Sequence, residues 1–197
     1  MSESNRQLEE KRAFLKDFIR LETDFSKTAQ SRGLAAPPLQ KPYPADAELV
    51  DLPDGIAAVK KSCQAPLAQC IINRESIRKF SEEALALYEL SALLYATQGV
   101  RKTISKSTAL RTVPSAGSRH AFETYLAVDH VEGLEPGLYR YLPFEQKLLL
   151  LRKDPEVGRK AAEACLGQTF VARAAITFFW TVIPERTEWR YGLASHK

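Results

Sequence analysis

The sequence predicts an α+β fold: a small sheet with helices packed around it. Three observations carry this. Helical periodicity dominates the first half, strand-like runs dominate the second, and a short helical segment separates the last two runs. The composition is 45% hydrophobic and 26% charged over 197 residues, which is globular and allows one domain with a sizeable core.

Residues 6–22 predict an amphipathic helix. Leu8, Phe14, Leu15, Phe18, Ile19 and Leu21 fall roughly on one face, with Glu and Lys between them. Residues 33–53 carry Pro37, Pro38, Pro42, Pro44 and Pro53, which disfavour helix and strand alike and predict an extended arm. Helix and arm have little core of their own, so they need a surface to pack on, and a partner subunit is a candidate. The chain divides into this helix and arm, 1–53, and a main domain, 54–197.

A second helix is expected over 57–70, followed by a polar, basic stretch from Asn73 to Phe80. A strong helix follows over 87–97. Leu87, Leu90, Leu93, Leu94 and Thr97 form its buried stripe, and Gly99 stands where a helix-ending glycine belongs. Residues 100–112 read as a basic, Ser/Thr-rich loop, and 114–120 as a turn running into a short helix. A strand is expected at 125–128, and Gly133, Pro136 and Gly137 mark a turn. Residues 138–142 and 147–151 form a hairpin pair, with Tyr139 and Tyr141 on one face. A short helix over 155–166 has Asp154 as its N-cap. The run 174–182 is apolar and aromatic, which predicts a central strand buried on both faces with Trp180 in the core.

The net charge of +4 is spread among acids rather than gathered in a stripe. That argues against a nucleic-acid surface and is compatible with an anionic ligand. The N-terminus has no apolar signal core, and no run is long enough to cross a bilayer, so a cytoplasmic setting is expected. Cys63, Cys70 and Cys165 show no CxxC spacing, and no two histidines have metal-ligand spacing, so neither a disulfide framework nor a metal site is expected. Cys63 and Cys70 read as buried thiols.

Three segments bear on chemistry. In Arg74-x-Ser76-x-Arg78, alternate residues of an extended stretch face the same way, so two guanidinium groups and a hydroxyl converge, as suits a phosphate. A solvated basic turn explains the triplet equally. In Pro114-Ser115-Ala116-Gly117, small residues let a flat ligand approach the backbone, although an ordinary turn has the same composition. The third, Glu188-Trp189-Arg190-Tyr191-Gly192, reads as a strand-end loop with a surface tryptophan. No side chain reads as a general acid or base.

In combination and order, these stretches resemble the nitroreductase superfamily, and within it the SagB-type dehydrogenases. The resemblance rests on Arg74 to Phe80, Leu90 to Val100, Arg111 to His120, Gly133 to Tyr141 and Arg186 to Gly192. It implies an intertwined homodimer with flavin mononucleotide (FMN) at the subunit interface. Arg74, Ser76 and Arg78 would hold the phosphate and ribityl end. Pro114, Ser115, Ala116 and Gly117 would lie along the flavin. Hydride would pass through the flavin to or from a small-molecule or modified-peptide substrate, with NAD(P)H a possible donor. In relatives the chain continues beyond the Arg-Tyr-Gly stretch, so the fold is expected to be incomplete at the C-terminus. A non-catalytic remnant or partner-binding subunit without flavin is the alternative.

Overall fold

A computed structural model describes residues 2–196. Its centre is a five-stranded antiparallel sheet in the order β1-β6-β5-β4-β7. The strands are β1 (Leu49–Asp51), β4 (Phe122–Val128), β5 (Gly137–Leu142), β6 (Lys147–Lys153) and β7 (Ile176–Val182). A separate hairpin joins β2 (Val100–Ser105) to β3 (Thr108–Arg111). The helices are α1 (Glu3–Phe14), α2 (Ile19–Glu22), α3 (Gly55–Ser62), α4 (Leu67–Asn73), α5 (Leu87–Gln98), α6 (Val157–Ala164) and α7 (Glu185–Tyr191). This is the α+β architecture that the sequence predicts.

Alternation along the strands divides the core into two layers. Leu126 and Val128 of β4 join Tyr139, Tyr141 and Leu148 against Leu90 and Leu94 of α5. Ala127, between them in sequence, joins Val157, Ala161 and Ala162 of α6 on the opposite face. The sheet therefore lies between α5 and α6. Tyr139 and Tyr141 share a face as expected, and their buried hydroxyls donate to Glu135 O at 2.8 Å and Gln146 Oε1 at 2.6 Å. Burial pushes both phenols above their usual range.

Several elements differ from the sequence reading. The N-terminal helix breaks at 15–18, where Leu15 and Lys16 N–H turn back to carbonyls three residues earlier, and Asp17 bonds Arg20 instead of extending the helix. Its apolar residues Leu8, Leu15, Phe18 and Leu21 remain exposed. The helix over 57–70 divides into α3 and α4 at Pro66, because proline restricts the residue before it and starts helices better than it continues them. Cys63 and Cys70 are exposed, not buried. Within α5, Leu93 faces solvent, and Gly99 ends the helix with φ of −57°, outside the left-handed region. Space explains the glycine: a Cβ there would collide with the Tyr95 ring.

The expected loop over 100–112 is the β2–β3 hairpin. Its β-branched residues suit strands, and Ser105 Oγ accepts from Ser107 N–H at 3.2 Å to close the turn. The run at 174–182 forms β7, but at the sheet edge, paired only with β4 among the described residues. Trp180 is 50% exposed, so it is not a core residue. An apolar run fixes strand character without fixing position in the sheet. Glu188 to Tyr191 are helical in α7 rather than in a loop. Asp154 lies ahead of α6 and accepts from Glu156 N–H at 3.1 Å.

The arm packs on the chain's own sheet and supplies β1. Its carbonyls are held by three buried arginines. Arg186 Nε donates to Pro38 O at 2.9 Å, and an Arg111 terminal nitrogen donates to Leu39 O at 3.1 Å. Arg140 donates to Lys41 O at 2.9 Å and Pro42 O at 3.2 Å. Prolines contribute carbonyls but no N–H, so an external donor is required, and one guanidinium offers five. Glu123 completes the cluster. It pairs with Arg186, both side chains being 3% exposed, and accepts from Lys41 N–H at 3.0 Å.

Removing one member of a buried pair leaves the other charge uncompensated. Glu123→Ala should therefore lower unfolding free energy by about 3–5 kcal/mol in urea titrations. A loss below about 1 kcal/mol, the range of exposed pairs, would show that the pair is not a keystone.

Candidate cofactor site

Residues 112–120 run from β3 to β4. Thr112 N–H donates to Gly99 O at 2.9 Å, which anchors the start of the loop. Ser115 Oγ accepts from His120 N–H at 2.9 Å and closes its middle. Gly117 takes φ of +56°, and a Cβ there would collide with Arg190 and lie 2.7 Å from Tyr191 Oη. Conformation and space both require glycine at this position. Ser118 and His120 also have positive φ, at 54° and 43°. Such backbone is retained where surrounding contacts over-determine it, commonly at ligand sites.

Arg119 supplies those contacts. Its guanidinium donates to Gly117 O at 3.0 Å, Ser107 O at 2.6 Å and Thr108 Oγ1 at 3.1 Å. It also lies 5.0 Å from the Trp189 ring centroid, a cation–π distance. Trp189 is tied in turn to Leu34 O through its indole N–H at 2.9 Å. Hairpin, loop, α7 and the start of the arm thus form one connected unit.

Several residues of the loop border two clefts. One, of about 400 Å³, is lined by Arg101, Arg111, Thr112, Pro114, Ser115, Ser118 and His120 among others. The other, of about 250 Å³, is lined by Gln98, Pro114, Ser115, Ala116, His120, Phe122 and Thr187 among others. Ala116 also reaches a third, of about 620 Å³, beside Phe14, Phe25 and Tyr191. Burial holds the Arg111 guanidinium down at about 10, with Arg186 repelling it further and Glu123 partly offsetting this, so it stays charged at neutral pH. Burial first, and then Arg111, lowers His120 to about 4, so its imidazole is neutral at pH 7. His120 also accepts at its backbone O from Arg186, at 3.1 Å. The backbone of His120 is thus tied to the arginine cluster.

Pro114, Ser115, Ala116 and Gly117 thus sit together on one loop. Arg74, Ser76 and Arg78 lie elsewhere, on the connection between α4 and α5, and line neither cleft. All three are exposed. Among the described residues, Arg74 and Ser76 have no side-chain hydrogen bond or ion pair, and Arg78 contacts only the Phe170 ring, at 5.6 Å. These donors are free to meet an anion. Sequence reasoning missed the parts played by Arg101, Arg111 and Arg119. Their basic stretch was visible, but its folding into a hairpin against the loop was not. No group of three or more potential metal ligands occurs among the described residues, and none of their helices is long and apolar enough to cross a membrane.

Residues 71–197 match the model of the nitroreductase family. The chain belongs to that family. It is similar to "Putative nitroreductase MJ1384" of Methanocaldococcus jannaschii, at 38% identity over 64% of this chain and 61% of that protein. The crystal structure of a "putative nitroreductase" from Anabaena variabilis is similar over 77% of this chain and 30% of the other, at 26% identity and a TM-score of 0.58. The chain therefore spans less than two thirds of the length of either nitroreductase relative. The family match covers both the Arg74 to Arg78 stretch and the loop at 114–117.

The neutral His120 gives a pH signature. Its folded pKa of about 4 lies below the ordinary 6.5, so between these values only the unfolded chain takes the proton. Stability from this group is complete above about pH 6.5 and declines towards pH 4. His120→Gln should flatten the fall in urea midpoint over that interval. An unchanged slope would place the acid sensitivity elsewhere.

Proposed function

We propose that this chain is an FMN-dependent oxidoreductase subunit of the SagB type that acts as a homodimer. The observation that carries this reading is the pairing, in a nitroreductase-family chain, of exposed Arg74, Ser76 and Arg78 with a small-residue loop held in left-handed backbone. The donor set fits the cofactor. Two guanidinium groups suit a phosphate monoester through charge-assisted, bidentate hydrogen bonds, and Ser76 adds a hydroxyl. Pro114, Ser115 and Ala116 border an open cleft where a flat ring would fit, while Arg190 and Tyr191 fill the space beside Gly117 and fix the turn.

Within one chain, Arg74, Ser76 and Arg78 line neither of the two clefts beside the loop. A second copy supplies the missing half, with Arg74 to Arg78 of one subunit facing the 114–117 loop of the other. Exposed Leu67, Ile71, Ile72 and Ile77 beside the arginines favour burial in such an interface. Bound flavin supplies the hydride chemistry. Arg74, Ser76 and Arg78 would bind its phosphate, and the loop at 114–117 would orient its ring. The substrate is a small molecule or modified peptide, with NAD(P)H as a candidate donor.

The purified protein should show the two visible absorption bands of a flavin, directly or after adding FMN. A colourless protein that takes up no FMN would contradict the proposal. Arg74→Ala combined with Arg78→Ala should weaken FMN binding by about 3 kcal/mol or more, roughly a hundredfold in Kd. Unchanged affinity would remove both arginines from the site.

A further inference from the structure

The cleft between the β2–β3 hairpin and the 112–120 loop has a chemistry that the phosphate-binding arginines do not explain. Its polar walls are Arg101, Arg111, Thr112, Ser115, Ser118 and His120, with no carboxylate among them. Arg111 is 93% buried: only 7% of its surface is exposed. Two of its nitrogens are used, by Gln98 Oε1 at 3.0 Å and Leu39 O at 3.1 Å, but its Nε has no partner. A buried, charged donor left without an acceptor is costly. Arg140 Nε, outside this cleft, is also without a partner among the described residues. What singles out the cleft is a buried guanidinium in a wall that holds no carboxylate. Arg101 stands exposed at the mouth and makes no ion pair among the described residues.

The wider surroundings are also positive. Arg111, Arg119, Arg140 and Arg186 are all buried, and among the described residues the one buried carboxylate bonded to any of them is Glu123, already held by Arg186 and Lys41 N–H. The partners of the remaining guanidinium groups are neutral carbonyls, a hydroxyl and an amide, which leave their charge in place, and among the described residues Arg140 Nε, like Arg111 Nε, has no partner. His120 is held below its ordinary range first by burial, and then by Arg111, with smaller contributions from Arg119 and Arg186.

We propose that this cleft is an oxyanion subsite, which takes a carboxylate or phosphate carried by the molecule that exchanges hydride with the flavin. Arg101 and Arg111 supply charge, and Ser118 supplies a hydroxyl donor, the Thr112 hydroxyl being donated to Tyr95 O at 2.8 Å. The assignment rests on the flavin reading, because Pro114 and Ser115 border both this cleft and the proposed ring site. It names a substrate class: anionic acceptors or donors in preference to neutral ones.

The test is titration of the protein, before and after FMN addition, with sodium succinate and with sodium phosphate at ionic strength held constant by chloride. Binding is read by calorimetry and by the shift in melting temperature. At least one oxyanion should bind, and the stronger of the two tells carboxylate from phosphate. Arg101→Ala and Ser118→Gly should each weaken it about tenfold or more, Ser118→Gly removing the hydroxyl while keeping the left-handed backbone. Arg111→Lys should abolish it, and Arg101→Ala keeps the test decisive if that variant does not fold. Arg74→Ala with Arg78→Ala should leave it intact. Absence of binding, or binding lost in the Arg74/Arg78 double variant but unaffected by Arg101→Ala, would overturn the proposal. FMN uptake, followed separately by quenching of flavin fluorescence, reports on the reading beneath it. Oxyanion binding without flavin uptake would defeat that reading and the hydride-exchange assignment while leaving an anion site.

Discussion

Three buried guanidinium groups clasp the carbonyls of a proline-rich arm, and the rest of the structure depends on that contact. Arg111, Arg140 and Arg186 come from β3, β5 and α7, so the arm at 38–42 ties together elements far apart in sequence. Each charged hydrogen bond contributes about 1.5–3 kcal/mol, but only while the geometry is kept. The arm in turn covers the buried ends of the three side chains, which a solvent-filled gap would not hold in place. Proline suits this segment because it keeps the chain extended and leaves carbonyls facing outward without competing donors.

The same clasp shapes the loop at 112–120. Arg111 closes β3 just ahead of it. Arg186 bonds His120 O at its far end, and Arg119 pins its middle to the hairpin. Strain at Gly117, Ser118 and His120 is sustained by these supports rather than by the loop itself. The cluster carries more positive than negative charge, because its arginines are satisfied mostly by neutral carbonyls. A rigid loop with small residues, set in a positive field, is a surface for anionic and flat ligands. The exposed arginines at 74 and 78 add a second positive surface on the α4–α5 connection.

Much of this could be read from the sequence. The α5 stripe, the β5–β6 hairpin and the turn at 114–120 followed from periodicity and turn residues, because they depend on neighbours in sequence. The place of β7 did not. Its apolar run encodes a strand, but whether a strand lies at the centre or edge depends on what pairs with it. The β2–β3 hairpin was hidden by its basic composition, which reads as solvated loop until Arg119 and Gln98 are seen to engage it. The arm's destination was also hidden: proline fixes its conformation, while the arginines that hold it lie 72 to 148 residues away. For the candidate site, the residue types were legible and their grouping was not.

A crystal structure of the protein grown with FMN tests the central claim most directly. The account predicts a dimer in which Arg74 and Arg78 of one subunit contact the flavin phosphate while the ring lies along Pro114, Ser115, Ala116 and Gly117 of the other, with the arm still held by Arg111, Arg140 and Arg186. Flavin bound away from both segments, or an arm released from the three arginines with the loop unchanged, would contradict it.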